Sequence, residues 1–62
     1  MPQSDATSEP LRREIFRLLV SAQDMDMGVT ESYAFIRDRF GLAESEIRRI
    51  EREGLDGGWP PL

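Results

Sequence analysis

The reactive side chains present set the chemistry open to this 62-residue chain. It has no His and no Cys, and all 8 of its basic residues are Arg. Proton transfer near neutral pH most often uses His, or a Lys or Cys shifted into range, so the usual general bases are all missing. The 12 carboxylates and 1 Tyr that remain show no spacing that would orient two groups as an acid–base pair. We expect no enzyme and no small-molecule substrate, since so short a chain has little interior to hollow into a pocket. One acidic motif, Asp24-x-Asp26-x-Gly28, invites a metal. A calcium loop that begins this way needs oxygen ligands at its fifth and twelfth positions and Gly at its sixth. Those positions hold Gly28, Phe35 and Val29. The motif reads better as a polar connector, and neither a metal nor any other cofactor is expected.

Two groups of residues could instead bind a macromolecule. Ser45, Arg48, Arg49 and Arg52 fall on one side of a helix, flanked by Glu44, Glu46, Glu51 and Glu53. Such a stripe has three uses. It can be a solvated face held by Glu44–Arg48 and Arg49–Glu53 pairs at i,i+4, a set of DNA contacts, or an Arg patch for an acidic protein. The second group is Trp59-Pro60-Pro61-Leu62. Pro-Pro is pre-ordered, so this tail can dock on a partner through Trp59 and Leu62 with little entropy lost. Alternatively Trp59 folds back near Leu55 and the first helix and closes an otherwise small core. Arg12, Arg13 and Arg17 read as a solvated face with Glu9 and Glu14, and Met25 and Met27 as cover for the core edge or as adaptable contacts.

The net charge of −4 argues against a general nucleic-acid or membrane-surface binder, whose footprint is a basic excess. No apolar run is long enough to cross a bilayer. Met1-Pro2-Gln3-Ser4-Asp5 lacks the basic start and apolar stretch of a secretion signal, so a cytoplasmic location is expected. Arg in place of every Lys reads as the nucleotide bias of a GC-rich genome.

Three helices should position these groups. Residues 1–8 carry no periodicity and are expected to be disordered. Ser8-Glu9-Pro10 then supplies a hydroxyl cap, an acid in the first turn and a Pro where a missing N–H does no harm. Leu11, Ile15, Leu18, Leu19 and Ala22 follow at helical spacing, widened by Phe16 and Val20, which predicts a helix over about 10–23. Asp24 to Gly28 is the connector, with Gly28 as its turn residue. A second helix over about 30–40 has Thr30 as cap and Tyr33, Ile36 and Phe40 as its buried line, with Phe35 off that line. Gly41 ends it. A third helix over about 43–53 turns Ile47 and Ile50 inward, with Gly54 as left-handed terminator and Leu55 packing back onto it. Residues 56–62 are expected to be extended. A domain of this size buries only about 60% of the surface its unfolded chain exposes, and here it has no disulfide or metal to staple it.

The stretch Phe40-Gly41-Leu42-Ala43-Glu44-Ser45-Glu46-Ile47-Arg48-Arg49-Ile50-Glu51 and onward to Leu55 resembles the helix-turn-helix at the C-terminal, promoter-reading end of bacterial sigma factors. That family runs Phe-Gly-Val-Thr, three polar residues, then Ile-Arg-x-Ile-Glu and on to a Leu. The likeness covers Thr30 to Leu55. It implies a tight turn at Gly41, Leu42 plugging the corner, and Ile47 and Ile50 packed on Ile36 and Phe40. On the surface, Ala43 stands where the family has a capping hydroxyl and Arg37 where it has a small residue. Glu44 and Glu46 occupy the turn that reads bases, where acids would repel phosphates.

The expectation is therefore an all-α, three-helix domain containing a helix-turn-helix with an acidified recognition helix. It would act as a protein–protein interaction module, a small regulator or accessory subunit bound to a larger protein through Arg48, Arg49, Arg52, Trp59, Pro60, Pro61 and Leu62. The alternative is a DNA-binding transcription regulator using Ser45, Arg48, Arg49 and Arg52. Homodimerisation is compatible with either.

Overall fold

Ser8 starts the first helix as its hydroxyl leads one to expect: the side-chain oxygen accepts from the Leu11 N–H at 3.4 Å. The computed structural model describes residues 7–62, so the disorder expected for residues 1–6 lies outside the described residues. Thr7 and Ser8, for which disorder was also expected, are instead tied to α1: Ser8 caps it, and Thr7 is buried with its carbonyl accepting from Arg12 Nη1 at 2.9 Å. The described chain is all helical, with α1 (Glu9–Asp24), α2 (Val29–Phe40) and α3 (Glu44–Gly57). Among the described residues there is no strand, and no helix is long and apolar enough to cross a membrane.

Each helix gives its apolar stripe to one core. Ile15, Phe16 and Leu19 come from α1, Tyr33 and Ile36 from α2, Ile47 and Ile50 from α3, with Leu42 and Trp59 closing it. Phe40 packs against the rim of the same cluster. Gly41 takes the left-handed conformation, at φ 68°, that lets the chain reverse between α2 and α3.

The connector before α2 differs from expectation. Its left-handed residue is Asp26, at φ 70°, a side chain that tolerates this region. Gly28 is extended and is itself the N-cap of α2. Thr30 therefore lies inside the helix. The capping contact comes from Glu31, whose carboxylate accepts from the Gly28 N–H at 3.3 Å. Ser32 is fully buried here: its hydroxyl donates to the Val29 carbonyl at 2.7 Å and accepts from Gln23 Nε2 at 3.1 Å, tying the end of α1 to the start of α2. Met25 is 79% exposed and covers no core.

The larger departure is at the other end. Helix α3 runs through Gly54, and the left-handed terminator is Gly58 at φ 63°. The Gly58 N–H bonds to the Leu55 carbonyl and the Trp59 N–H to the Gly54 carbonyl, at 3.4 and 3.0 Å. This is the paired bonding of a Schellman cap, whose next residue commonly packs back on the helix. That residue is Trp59, only 6% exposed, while Leu55 points to solvent. The last residues are not extended either. The Leu62 N–H bonds to the Trp59 carbonyl at 3.0 Å, forming a turn with a cis Pro60–Pro61 peptide.

Candidate functional site

Helix α3 lies between two clefts, and its phase assigns each Arg to one of them. Arg48, Arg52, Glu51 and Leu55 join Tyr33 of α2 in a groove of about 330 Å³. Arg49 instead lines a smaller cleft on the α1 side, about 190 Å³, with Thr7, Arg12, Glu46, Ile50 and Glu53. The stripe read from the sequence is thus divided. Arg48 and Arg52 share a site, Arg49 does not, and Ser45 is exposed without lining either cleft.

In the α2–α3 groove, Tyr33 is pinned from both sides. Its hydroxyl donates to Glu51, and the Arg48 guanidinium lies 5.5 Å from its ring centroid. Arg48 also donates through Nε to Glu44 at 3.0 Å, the i,i+4 pair expected. Arg52 approaches Asp56 only to 3.9 Å. Leu55, 54% exposed, supplies an apolar floor beside them. Val29, another exposed apolar residue, precedes Tyr33 by four positions and so continues the same face of α2.

Hydrogen bonding to Glu51 holds the Tyr33 hydroxyl above its usual pKa near 10, with burial and the Glu51 charge adding to this and Arg48 opposing it. A proton held more tightly in the folded state contributes stability that is fully present below the unfolded pKa. That stability is lost as pH rises through the folded value. Because the chain has 1 Tyr, tyrosinate absorbance should titrate above the free-tyrosine range. A midpoint at or below about 10 would remove the Tyr33–Glu51 bond from the site.

On the α1 side, the expected Arg49–Glu53 pair is replaced. Arg12 takes Glu53, through Nε at 2.9 Å and Nη2 at 3.3 Å. This two-pronged contact clamps α1 to α3, so Arg12 is not part of a solvated face. Arg13 and Arg17 are exposed and pair with Glu9 and Glu14 as expected. Arg49 makes no ion pair with a described residue.

The tail falls elsewhere. Trp59 packs edge-on against Phe16, with centroids 6.1 Å apart and planes at 87°, and Arg13 lies 4.7 Å from its ring centroid. Its ring therefore serves the core of this chain and is not presented for a partner. Pro60, Pro61 and Leu62 are exposed, Leu62 at 62%. Sequence reading missed Tyr33 and Glu51 as a hydrogen-bonded pair lining this groove. Their signal was present: Tyr33 stood on the buried line of α2 with a hydroxyl that needed an acceptor, and Glu51 was assigned only to a flank. No family model, no curated protein and no solved structure gives a significant match to the chain.

Proposed function

We propose that this chain is a non-enzymatic protein–protein interaction module, a small regulator or accessory subunit in which α2 and α3 form a sigma-like helix-turn-helix with an acidified recognition helix. The bend supports this reading. Residues Gly41–Ala43 join the two helices, Gly41 is left-handed, and Leu42, Ile36, Ile47 and Ile50 are buried beneath the corner. Arg48 and Arg52 accordingly face outward beside Tyr33 and Leu55.

The observation that carries the choice of protein over DNA is how the acids of α3 occupy its cations. Arg48 is held by Glu44, Arg52 lies near Asp56, and Arg49 shares its cleft with Glu46 and Glu53. Duplex affinity grows with the number of phosphates neutralised, and each acid on this face subtracts from that number. Arg is, by contrast, a residue type enriched at protein interfaces, and the exposed Leu55 lies beside Arg48 and Arg52. The partner face is Arg48, Arg52 and Leu55, with Tyr33 buried at its base. The burial of Trp59 favours moving it from this face to the core.

Fluorescence anisotropy with a labelled DNA duplex separates the readings. No saturable binding is expected, even at the low end of a titration from about 50 to 200 mM salt. Binding whose log affinity falls linearly with log salt, and which is lost in the Arg48→Ala, Arg52→Ala double variant, would establish the DNA-binding alternative instead.

A further inference from the structure

We infer that Asp56–Gly57, at the end of α3, is a site of isoaspartate formation, closed by the docking of Trp59 and opened when the last helical turn frays. The chemistry needs the Gly57 nitrogen to attack the Asp56 carboxyl carbon. An N–Cγ bond then closes a five-membered succinimide, and the amide proton leaves with the carboxyl hydroxyl as water. Water afterwards reopens the ring, so no oxidant, reductant or cofactor takes part. Cleavage of the Cγ–N bond restores Asp. Cleavage at the α-carbonyl leaves the chain running through the side chain, one backbone atom longer. A side chain on the following residue hinders the attack. Of the 5 Asp in the sequence, at positions 5, 24, 26, 38 and 56, only Asp56 precedes a Gly.

The structure supplies both the gate and its weakness. Trp59 lies directly on Gly57: a Cβ there would stand 3.0 and 3.2 Å from Nε1 and Cδ1 of the indole. The bare position that seats Trp59 therefore also leaves Asp56 open to attack. While α3 is intact, its helical backbone holds the Gly57 nitrogen out of line with the Asp56 carboxyl carbon. That turn is weak in itself. Residues 54, 57 and 58 are Gly, which gains the most conformational freedom on release. The last turn has no basic residue, and Asp56 stands at the negative end of the helix dipole. The Asp56 side chain is 75% exposed and meets Arg52 only at 3.9 Å. Against fraying stand the Gly58 and Trp59 N–H bonds to the Leu55 and Gly54 carbonyls, and the edge contact of Trp59 on Phe16. Both bonds span the 56–57 link. The extra backbone atom of isoaspartate puts both out of register and unseats the indole.

The test incubates the full chain for weeks at neutral pH, both folded and in denaturing guanidinium chloride. Isoaspartate is counted by methyl transfer from tritiated S-adenosylmethionine with an isoaspartyl methyltransferase, and placed by peptide mapping. The folded chain should accumulate label at Asp56 and at no other Asp. Denaturant, which removes the gate, should speed this by about tenfold or more. Asp56→Glu, whose longer side chain would need a six-membered ring, should stay unlabelled while keeping the helical circular dichroism spectrum of the parent. Because the chain has 1 Trp, its emission should move to longer wavelength in step with the label as the indole is unseated. A folded chain without label at Asp56, or label in Asp56→Glu equal to the parent, overturns the site. Equal rates with and without denaturant overturn the gate, and emission that stays constant as label accumulates overturns the unseating of Trp59.

Discussion

Gly54→Ala is expected to destabilise the domain, although Ala is the better helix former by about 1 kcal/mol. Gly54 lies within α3 and is buried, and a Cβ placed there would stand 2.3, 2.5 and 2.6 Å from Cδ1, Cε1 and Cγ of Phe16. The whole ring, not a flexible tip, would have to move. Trp59 packs edge-on against that ring, and Phe16 itself is fully buried. Overpacking of this kind costs about 1–3 kcal/mol or more, and we expect a net loss of about 2 kcal/mol in urea unfolding. The decisive control is the cycle with Phe16→Leu. If the missing side chain matters because the ring fills its place, the double variant is more stable than the sum of the singles by about 1 kcal/mol or more. If Gly54 matters for its backbone alone, the two substitutions add. Additive effects would contradict the packing described.

Trp59→Ala should be the most damaging substitution in the tail. Removing a buried aromatic costs about 3–5 kcal/mol. A chain of this size commands roughly 3–9 kcal/mol in total at typical per-residue stability. The variant should therefore melt at least about 12 °C lower by circular dichroism, or be unfolded at room temperature. Leu62→Ala, at an exposed position, should stay within about 0.5 kcal/mol of the parent. Equal melting curves for Trp59→Ala and the parent would mean that the ring does not close the core, and would restore it as a partner anchor.

These two sites also mark where the sequence was legible and where it was not. Helix existence was plain, because Leu11 to Ala22 and Tyr33 to Phe40 repeat at a single period and Ser8 and Gly41 punctuate them. Gly41 was read correctly because a Gly between two periodic runs has one obvious use. Gly54 was not, because a Gly has two. It can take a positive φ or it can leave room for a neighbour, and only the position of Phe16, a residue 38 places earlier in the sequence, decides between them. The cap motif itself was anticipated, one helical turn too early: Gly58 and Trp59 do what Gly54 and Leu55 were expected to do. The same ambiguity displaced Thr30, a good capping residue whose role passes to Gly28 because Glu31 reaches back to it. For the candidate site, the outward phase of Arg48 and Arg52 followed from Ile47 and Ile50. Its division from Arg49 did not, since that depends on which helix packs on each side of α3. Arg12 claiming Glu53 is likewise a contact between distant segments that no local spacing encodes.

The proposed function has the outer face of α3 addressing protein and not DNA. The most direct measurement is a 15N–1H correlation spectrum of the full chain, titrated with a DNA duplex near physiological salt. The duplex should leave the amides of Ser45, Arg48, Arg49 and Arg52 unmoved. Saturable shifts at these four residues caused by the duplex would contradict it.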